Sequence, residues 1–203
     1  GRGKNCWNVG YPFQADMAVD DVSFMCKLAK KLQKEHNLSR KNTFCTGMSN
    51  GGEMCYLLAY CNQKTFAAVA PIAGLTMEWM YRELEAKKPI PLLEIHGTED
   101  KTSAWNGDPT NKGGWGEYIA VPRAVGYWAA VNRCTHEQVE KLPLRRNHTA
   151  NRPQAWVRAS LRRTRGRTCP LQSRRMHRST RLRELLRERE LPAALQPAAA
   201  PAA

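Results

Sequence analysis

Between Asp20 and Leu32 the chain reads DDVSFMCKLAKKL, with apolar residues at helical spacing. Val22, Met25, Ala29 and Leu32 fall on one face, and Lys27, Lys30, Lys31 and Lys34 fall mostly elsewhere. That pattern predicts an amphipathic helix with a solvated lysine face, and Asp20 and Asp21 sit at its electropositive N-terminal end. Residues 42–46 (NTFCT) then form a short β-prone run, the signature of a buried strand. Residues 53–60 (EMCYLLAY) have no Gly or Pro and are mostly apolar, as a helix buried behind a sheet should be. A second strand is predicted over 66–70, ending at Pro71 and Gly74, and a helical pattern over 76–86. A third strand over 90–95 runs into His96-Gly-Thr-Glu-Asp100. Strands separated by helices in this way describe βαβ units, so the expected class is α/β with a mostly parallel sheet.

The turn between the first strand and its helix carries the chemistry. Residues 47–51 are Gly-Met-Ser-Asn-Gly, followed by Gly52. This fits the G-x-S-x-G nucleophile elbow, in which a serine stands at the apex of a sharp strand-to-helix turn. Small residues are needed there because the backbones approach closely. Alone the pattern is weak, but strand, turn and helix follow in the required order. A serine hydroxyl becomes a good nucleophile only when an imidazole takes its proton and a carboxylate orients that imidazole. Asp100, just beyond the third strand, occupies the place of such an acid. Glu99 offers the same chemistry. Asp100 is favoured because the Gly97-Thr98-Glu99 turn lets it point back across the sheet edge. Without Ser49 upstream it would read as the cap of a turn.

Six segments then occur in order: Cys6-Trp-Asn-Val-Gly10, Asp20-Asp-Val22, Gly47–Gly52, Phe66-Ala-Ala-Val-Ala-Pro71, His96–Asp100 and Trp128–Cys134. Together, over residues 6–149, they resemble the polyhydroxybutyrate-depolymerase-type esterases, a family that includes feruloyl and acetyl-xylan esterases. The resemblance implies an α/β-hydrolase fold, a three-layer sandwich around a mostly parallel sheet. It implies a secreted or periplasmic serine carboxylesterase acting on an ester substrate, an acylated polysaccharide or a polyester, with no cofactor and no metal. Ser49 would be the nucleophile, Asp100 the triad acid, and the backbone N–H of Asn50 an oxyanion donor. The loop 101–121 takes the place of the family's cleft-bordering loop. There Trp105 either stacks on a sugar or phenolic acyl group or packs the loop onto the body.

Two parts of the family's machinery are not visible. The His-Gly loop that supplies a second oxyanion donor lies upstream of Gly1 in the family pattern, so the chain reads as truncated at its N-terminus. It shows no secretory signal segment and no apolar stretch long enough to span a membrane. The family's histidine, in a Gly-Gly-x-His-x-Trp-like segment, has no counterpart among His36, His96, His136, His148 and His177. The expected function is therefore a serine ester hydrolase impaired in this chain by loss of its base. The alternative is a carbohydrate-binding remnant of the same fold that uses the aromatic loop.

Composition changes at about residue 150. Residues 1–149 hold 19 Lys and Arg against 15 Asp and Glu, whereas 150–203 hold 13 Arg, no Lys and three Glu. Most of the net charge of +14 therefore sits in the tail. It argues for no nucleic-acid or membrane partner of the body, although an Arg-rich arm by itself would bind polyanions. The expected division is a partial hydrolase domain over 1–149 and a basic tail over 150–203. The tail reads as poorly ordered, as a charged helix over 178–190, or as a shifted reading frame, with no strand to complete a sheet. The seven cysteines show no metal-ligand spacing. Cys26, Cys45 and Cys55 read as small core residues.

Overall fold

The computed structural model describes residues 5–61 and 64–135, together with the backbone of 156–161. Helix α1 spans Asp21–Glu35, and the Asp20 carboxylate caps it by accepting from the Ser23 N–H at 2.9 Å. Its inner stripe is Val22, Met25, Cys26 and Ala29, continued by Gln33, whose amide donates to Thr43 Oγ1 and the Thr65 carbonyl. Leu32 was expected on that stripe but is 40 % exposed. At about 100° per residue it falls on the margin of the buried face, beside the exposed Phe24 and Leu28.

Strands β1 (Phe44–Met48), β2 (Ala68–Ile72) and β3 (Leu92–Gly97) are parallel, and β4 (Trp156–Leu161) runs antiparallel to β3. The strand order is β1-β2-β3-β4, an open, mostly parallel sheet with helices, which is an α/β arrangement. Each of the first three strands lies within two residues of its predicted position. Strand β2 runs through Pro71 rather than stopping before it. Val69 N–H donates to the Pro91 carbonyl and Ala73 N–H to the Ile95 carbonyl, and Pro71, between them, has no N–H to give.

Strand β4 corrects the expectation that the region past residue 150 contains no strand. Val157-Arg-Ala-Ser-Leu161 alternates apolar and polar residues, the period of a half-buried strand. The arginine-rich composition around it masks that signal. The helix considered over 178–190 lies outside the described residues, as does the rest of the tail.

Helix α2 (Asn50–Cys61) packs across β1 and β2, and every side chain from Met54 to Tyr60 is buried. Helix α3 (Glu78–Glu83) is shorter than the expected 76–86. Met77, just ahead of it, makes an isolated antiparallel bridge to Tyr118, which holds that end extended. Helix α4 (Val121–Val131) contains the start of the Trp128–Cys134 motif and lies against β3 and β4. Trp128 and Tyr127 meet Tyr60 of α2 at 4.9 and 5.4 Å between ring centroids. The core thus lies between α2, α4 and the sheet face bearing Cys45, Val69 and Leu92. Among the described residues, no helix is long and apolar enough to cross a membrane.

Candidate active site at the end of β1

The C-terminal ends of the parallel strands carry the elements of interest, where ligands of open α/β sheets generally bind. Ser49 follows β1 directly, is exposed, and has φ of 53°, the left-handed region that non-glycine residues rarely adopt. Its N–H donates to the Ile72 carbonyl at 2.9 Å, anchoring the bend to β2. Its carbonyl accepts from the N–H groups of Gly52 and Glu53, at 2.7 and 3.1 Å, which opens α2. The amides of Asn50 and Gly51 precede those first helical bonds. A Cβ on Gly47 would stand 2.5 Å from the Gly51 carbonyl oxygen, so only glycine fits beneath the bend. This is the strained geometry that an elbow requires.

The Asn50 side chain pins the N-terminal segment to the bend. Its Oδ1 accepts from Trp7 N–H at 2.7 Å and its Nδ2 donates to the Trp7 carbonyl at 3.0 Å. Buried Gln14 organises the same segment, accepting from the N–H groups of Val9 and Tyr11 and donating to the Trp7 carbonyl. Tyr11 and Phe13 are thereby held over the bend.

A cavity of about 250 Å³ lies there, bordered by Ser49, Asn50, Glu53, Tyr11, Phe13, Thr102, Ser103 and Trp115. Tyr11, Phe13 and Trp115 form one aromatic cluster, with centroids 5.1 to 6.3 Å apart. Glu53 is 1 % exposed, accepts from the Tyr11 hydroxyl at Oε2, and also receives the Leu75 N–H. Burial pushes its carboxyl up to about 8, against the pull of that amide. A buried carboxyl whose pKa is raised by burial thus stands one helical turn from Ser49.

Asp100 lies three residues past β3 and is half-buried. Its Oδ1 accepts from the N–H groups of Thr102 and Ser103, both at 2.8 Å, folding the loop so that those two residues border the cavity. The structure thus brings the Asp100 loop beside Ser49, although Asp100 itself does not line the cavity. Trp105 is 5 % exposed and packs edge-on against the His96 ring at 6.0 Å. The aromatic that this loop contributes to the cavity is Trp115.

His96 is fully buried. Nδ1 meets Glu94 Oε1 at 3.0 Å and Nε2 meets the Ser103 carbonyl at 2.8 Å, while the Tyr56 hydroxyl donates to Glu94 Oε2 at 2.7 Å. Burial works against its charged form, but the bonds to Glu94 and Ser103 outweigh it and raise the ring's pKa. Burial also raises Glu94, so the pair holds a proton tightly and buttresses the 100–103 turn from below. With both nitrogens engaged, His96 has no lone pair to offer a serine. His36 caps the exposed end of α1. His136, His148 and His177 lie outside the described residues.

The sequence pointed to Ser49, Asn50 and Asp100, but not to Glu53 or Tyr11. A single charged residue in an otherwise apolar helix was the available sign of Glu53; nothing local marks Tyr11. Among the described residues there is no cluster of three metal-ligating side chains.

No protein-family profile matches the chain. It is 32 % identical over 93 residues to a probable feruloyl esterase C of Aspergillus clavatus, covering 46 % of this chain and 33 % of that protein. It is 29 % identical over 103 residues to a probable feruloyl esterase C of Aspergillus niger, covering 51 % of this chain and 36 % of that protein. It is 25 % identical over 100 residues to a bifunctional acetylxylan esterase/xylanase, XynS20E, of Neocallimastix patriciarum, covering 49 % of this chain and 13 % of that protein. The chain thus spans about a third or less of the length of these curated relatives. The similarity is distant, partial and of esterase type.

Proposed function

We propose that residues 1–149, completed by strand β4, carry the nucleophile and acid portions of a serine carboxylesterase domain of the three-layer α/β-hydrolase kind, with the remainder of 150–203 as a basic extension. The observation that carries this reading is the backbone of Ser49: exposed, at φ of 53°, between the end of a strand and the first turn of a helix, beside a cavity. Ser49 Oγ would attack the ester carbonyl, expel the alcohol, and release the acyl group to water in a second step. The Asn50 N–H, ahead of the first helical bonds, is placed to donate to the oxyanion. Asp100 accepts both of its loop bonds at Oδ1, which leaves Oδ2 for an imidazole.

Similarity to proteins named feruloyl and acetylxylan esterases supports an acylated polysaccharide as substrate; a polyester substrate and action outside the cytoplasm are drawn from the wider family resemblance alone. Among the described residues no histidine lines the cavity. Turnover is therefore expected to be strongly impaired, since removing the histidine of such a triad costs on the order of 10⁶ in kcat.

Hydrolysis of p-nitrophenyl acetate tests this, with Ser49→Ala as the blank. The parent should hardly exceed the blank in plain buffer, and added imidazole should raise the parent rate above that of Ser49→Ala in the same imidazole. An imidazole response identical in both proteins would refute Ser49 as the nucleophile. Full Ser49-dependent turnover without imidazole would refute the impairment and direct the search for the base to His136 and His148. The saccharide-binding alternative loses Trp105 as its anchor through burial and draws instead on Phe13 and Trp115. Retention on a xylan gel, abolished by Trp115→Ala, is its mark.

A further inference from the structure

Two sulfur atoms meet beneath the Ser49 bend. Cys45 lies on β1, four residues before the serine, and Cys55 lies on α2, six residues after it. Both are buried free thiols, and their Sγ atoms stand 3.5 Å apart where α2 crosses β1. A disulfide needs its sulfurs at about 2 Å, so roughly 1.5 Å remains to be closed by turning two side chains. Neither cysteine has to leave its element for that. The contact with Cys55 holds the Cys45 thiol below its ordinary pKa, against the opposing effect of burial, which makes Cys45 the better attacking sulfur. The neighbouring cysteines are placed differently: Cys26 on α1 is hydrogen-bonded to the Thr65 side chain, and Cys61 is exposed at the far end of α2.

We propose that Cys45 and Cys55 are a dithiol–disulfide couple, closed in an oxidising environment into a bond that staples strand β1 to helix α2 across the Ser49 bend. The bond fixes the end of the strand and the first turns of the helix relative to each other. It is independent of the ester reading, because the staple forms or fails whatever Ser49 does. The oxidant is a small-molecule disulfide, with oxidised glutathione as the probe. Cys45 thiolate attacks one glutathione sulfur and expels the first glutathione thiolate; Cys55 then attacks Cys45 Sγ and expels the second. Two electrons pass to glutathione, the protons of the two cysteines go with them, and the chain gains one S–S bond. Both sulfurs are buried, so exchange takes place while the helix is off the strand, and docking brings the pair together.

The size of the effect follows from how often the two sulfurs meet. In the unfolded chain they are joined by a flexible stretch of 10 positions, for which the effective concentration is on the order of millimolar. In the folded chain they are already in contact, so the effective concentration should be roughly tenfold higher or more. Linkage makes the same factor the gain in the folding equilibrium when the bond closes. The full chain is refolded into a series of oxidised-to-reduced glutathione ratios, and a parallel series is kept in concentrated urea. Both are quenched with acid and alkylated. Proteolysis after Glu53 and after Tyr56 separates Cys45, Cys55 and Cys61, so each bond is assigned by mass.

The bond between Cys45 and Cys55 should be half-formed at a glutathione ratio roughly tenfold or more on the reducing side in the refolded chain, compared with the chain in urea. The oxidised chain should also unfold at higher urea than the reduced one, and dithiothreitol should erase that difference. Cys45→Ala should show neither effect. Should Cys45→Ala fail to fold, the comparison of oxidised and reduced parent decides alone. Equal or reversed glutathione midpoints overturn the proposal, as does a bond from either cysteine to Cys26 or Cys61 in its place. A Cys45–Cys55 bond that lowers the urea midpoint overturns it too, because the folded chain would then resist the staple.

Discussion

At the scale of single residues, two energetically unfavourable positions lie one helical turn apart. Ser49 holds a left-handed backbone that costs on the order of 1 kcal/mol or more, and Glu53 buries a carboxyl. Such costs persist where the surroundings over-determine them, and they cluster at functional sites. The carboxyl has a measurable signature. Its folded pKa of about 8 lies above its ordinary value of 4.5, so between those limits the folded state binds a proton that the unfolded state has lost. Stability contributed by this group is complete below the ordinary value and is lost as pH rises through about 8. Urea unfolding from mildly acidic to mildly alkaline pH should therefore show the parent losing a few kcal/mol. Glu53→Gln should show a flatter profile, and the difference between the two isolates Glu53 from the buried Glu94–His96 pair. Parallel profiles would mean that Glu53 is already ionised in the folded protein.

At the scale of elements, α2 meets the turn after β2 through two glycines with nothing between them. A Cβ on Gly52 would lie 2.7 Å from Gly74 Cα, backbone that cannot swing aside, whereas a Cβ on Gly51 meets nothing within 4 Å. Gly52→Ala should destabilise the protein by roughly 1–3 kcal/mol. Gly51→Ala, one residue earlier in the same helix, should be neutral or stabilise by up to about 1 kcal/mol. Equal urea midpoints for the two variants would show that the helix does not seat against β2 as described. The glycine run was legible in the sequence because its cause is local, a sharp bend next to a strand. The first three strands were legible for a similar reason, the first as a β-branched and aromatic run and the next two as short, mostly apolar runs leading into Gly- or Pro-containing turns. What escaped depends on partners far along the chain. Helix α3 starts late because Met77 pairs with Tyr118. Leu32 is exposed because the inner stripe turns toward Cys26 and Gln33. Glu53 finds Tyr11 across 42 positions, a contact that no local pattern encodes.

At the scale of the whole molecule, β1 ends the sheet order among the described residues, and its outward residues Phe44 and Met48 are 64 % and 71 % exposed. Phe24, Leu28 and Leu32 add a second apolar stripe along α1. An end strand with exposed apolar side chains is a template for pairing with another chain. Against that stands a net charge of +14, which keeps copies apart over a Debye length of about 10 Å at 0.1 M salt. The two effects respond to salt in opposite ways: screening removes the repulsion and leaves apolar contact and strand pairing almost untouched. Self-association should therefore grow with both protein concentration and ionic strength in sedimentation velocity. A Phe44→Lys, Met48→Lys double variant should shift it to higher concentration without changing the melting temperature, because neither side chain contributes to the core. A monomer that persists at high salt, or association that weakens as salt is added, would show that charge rather than the β1 edge governs contact between copies.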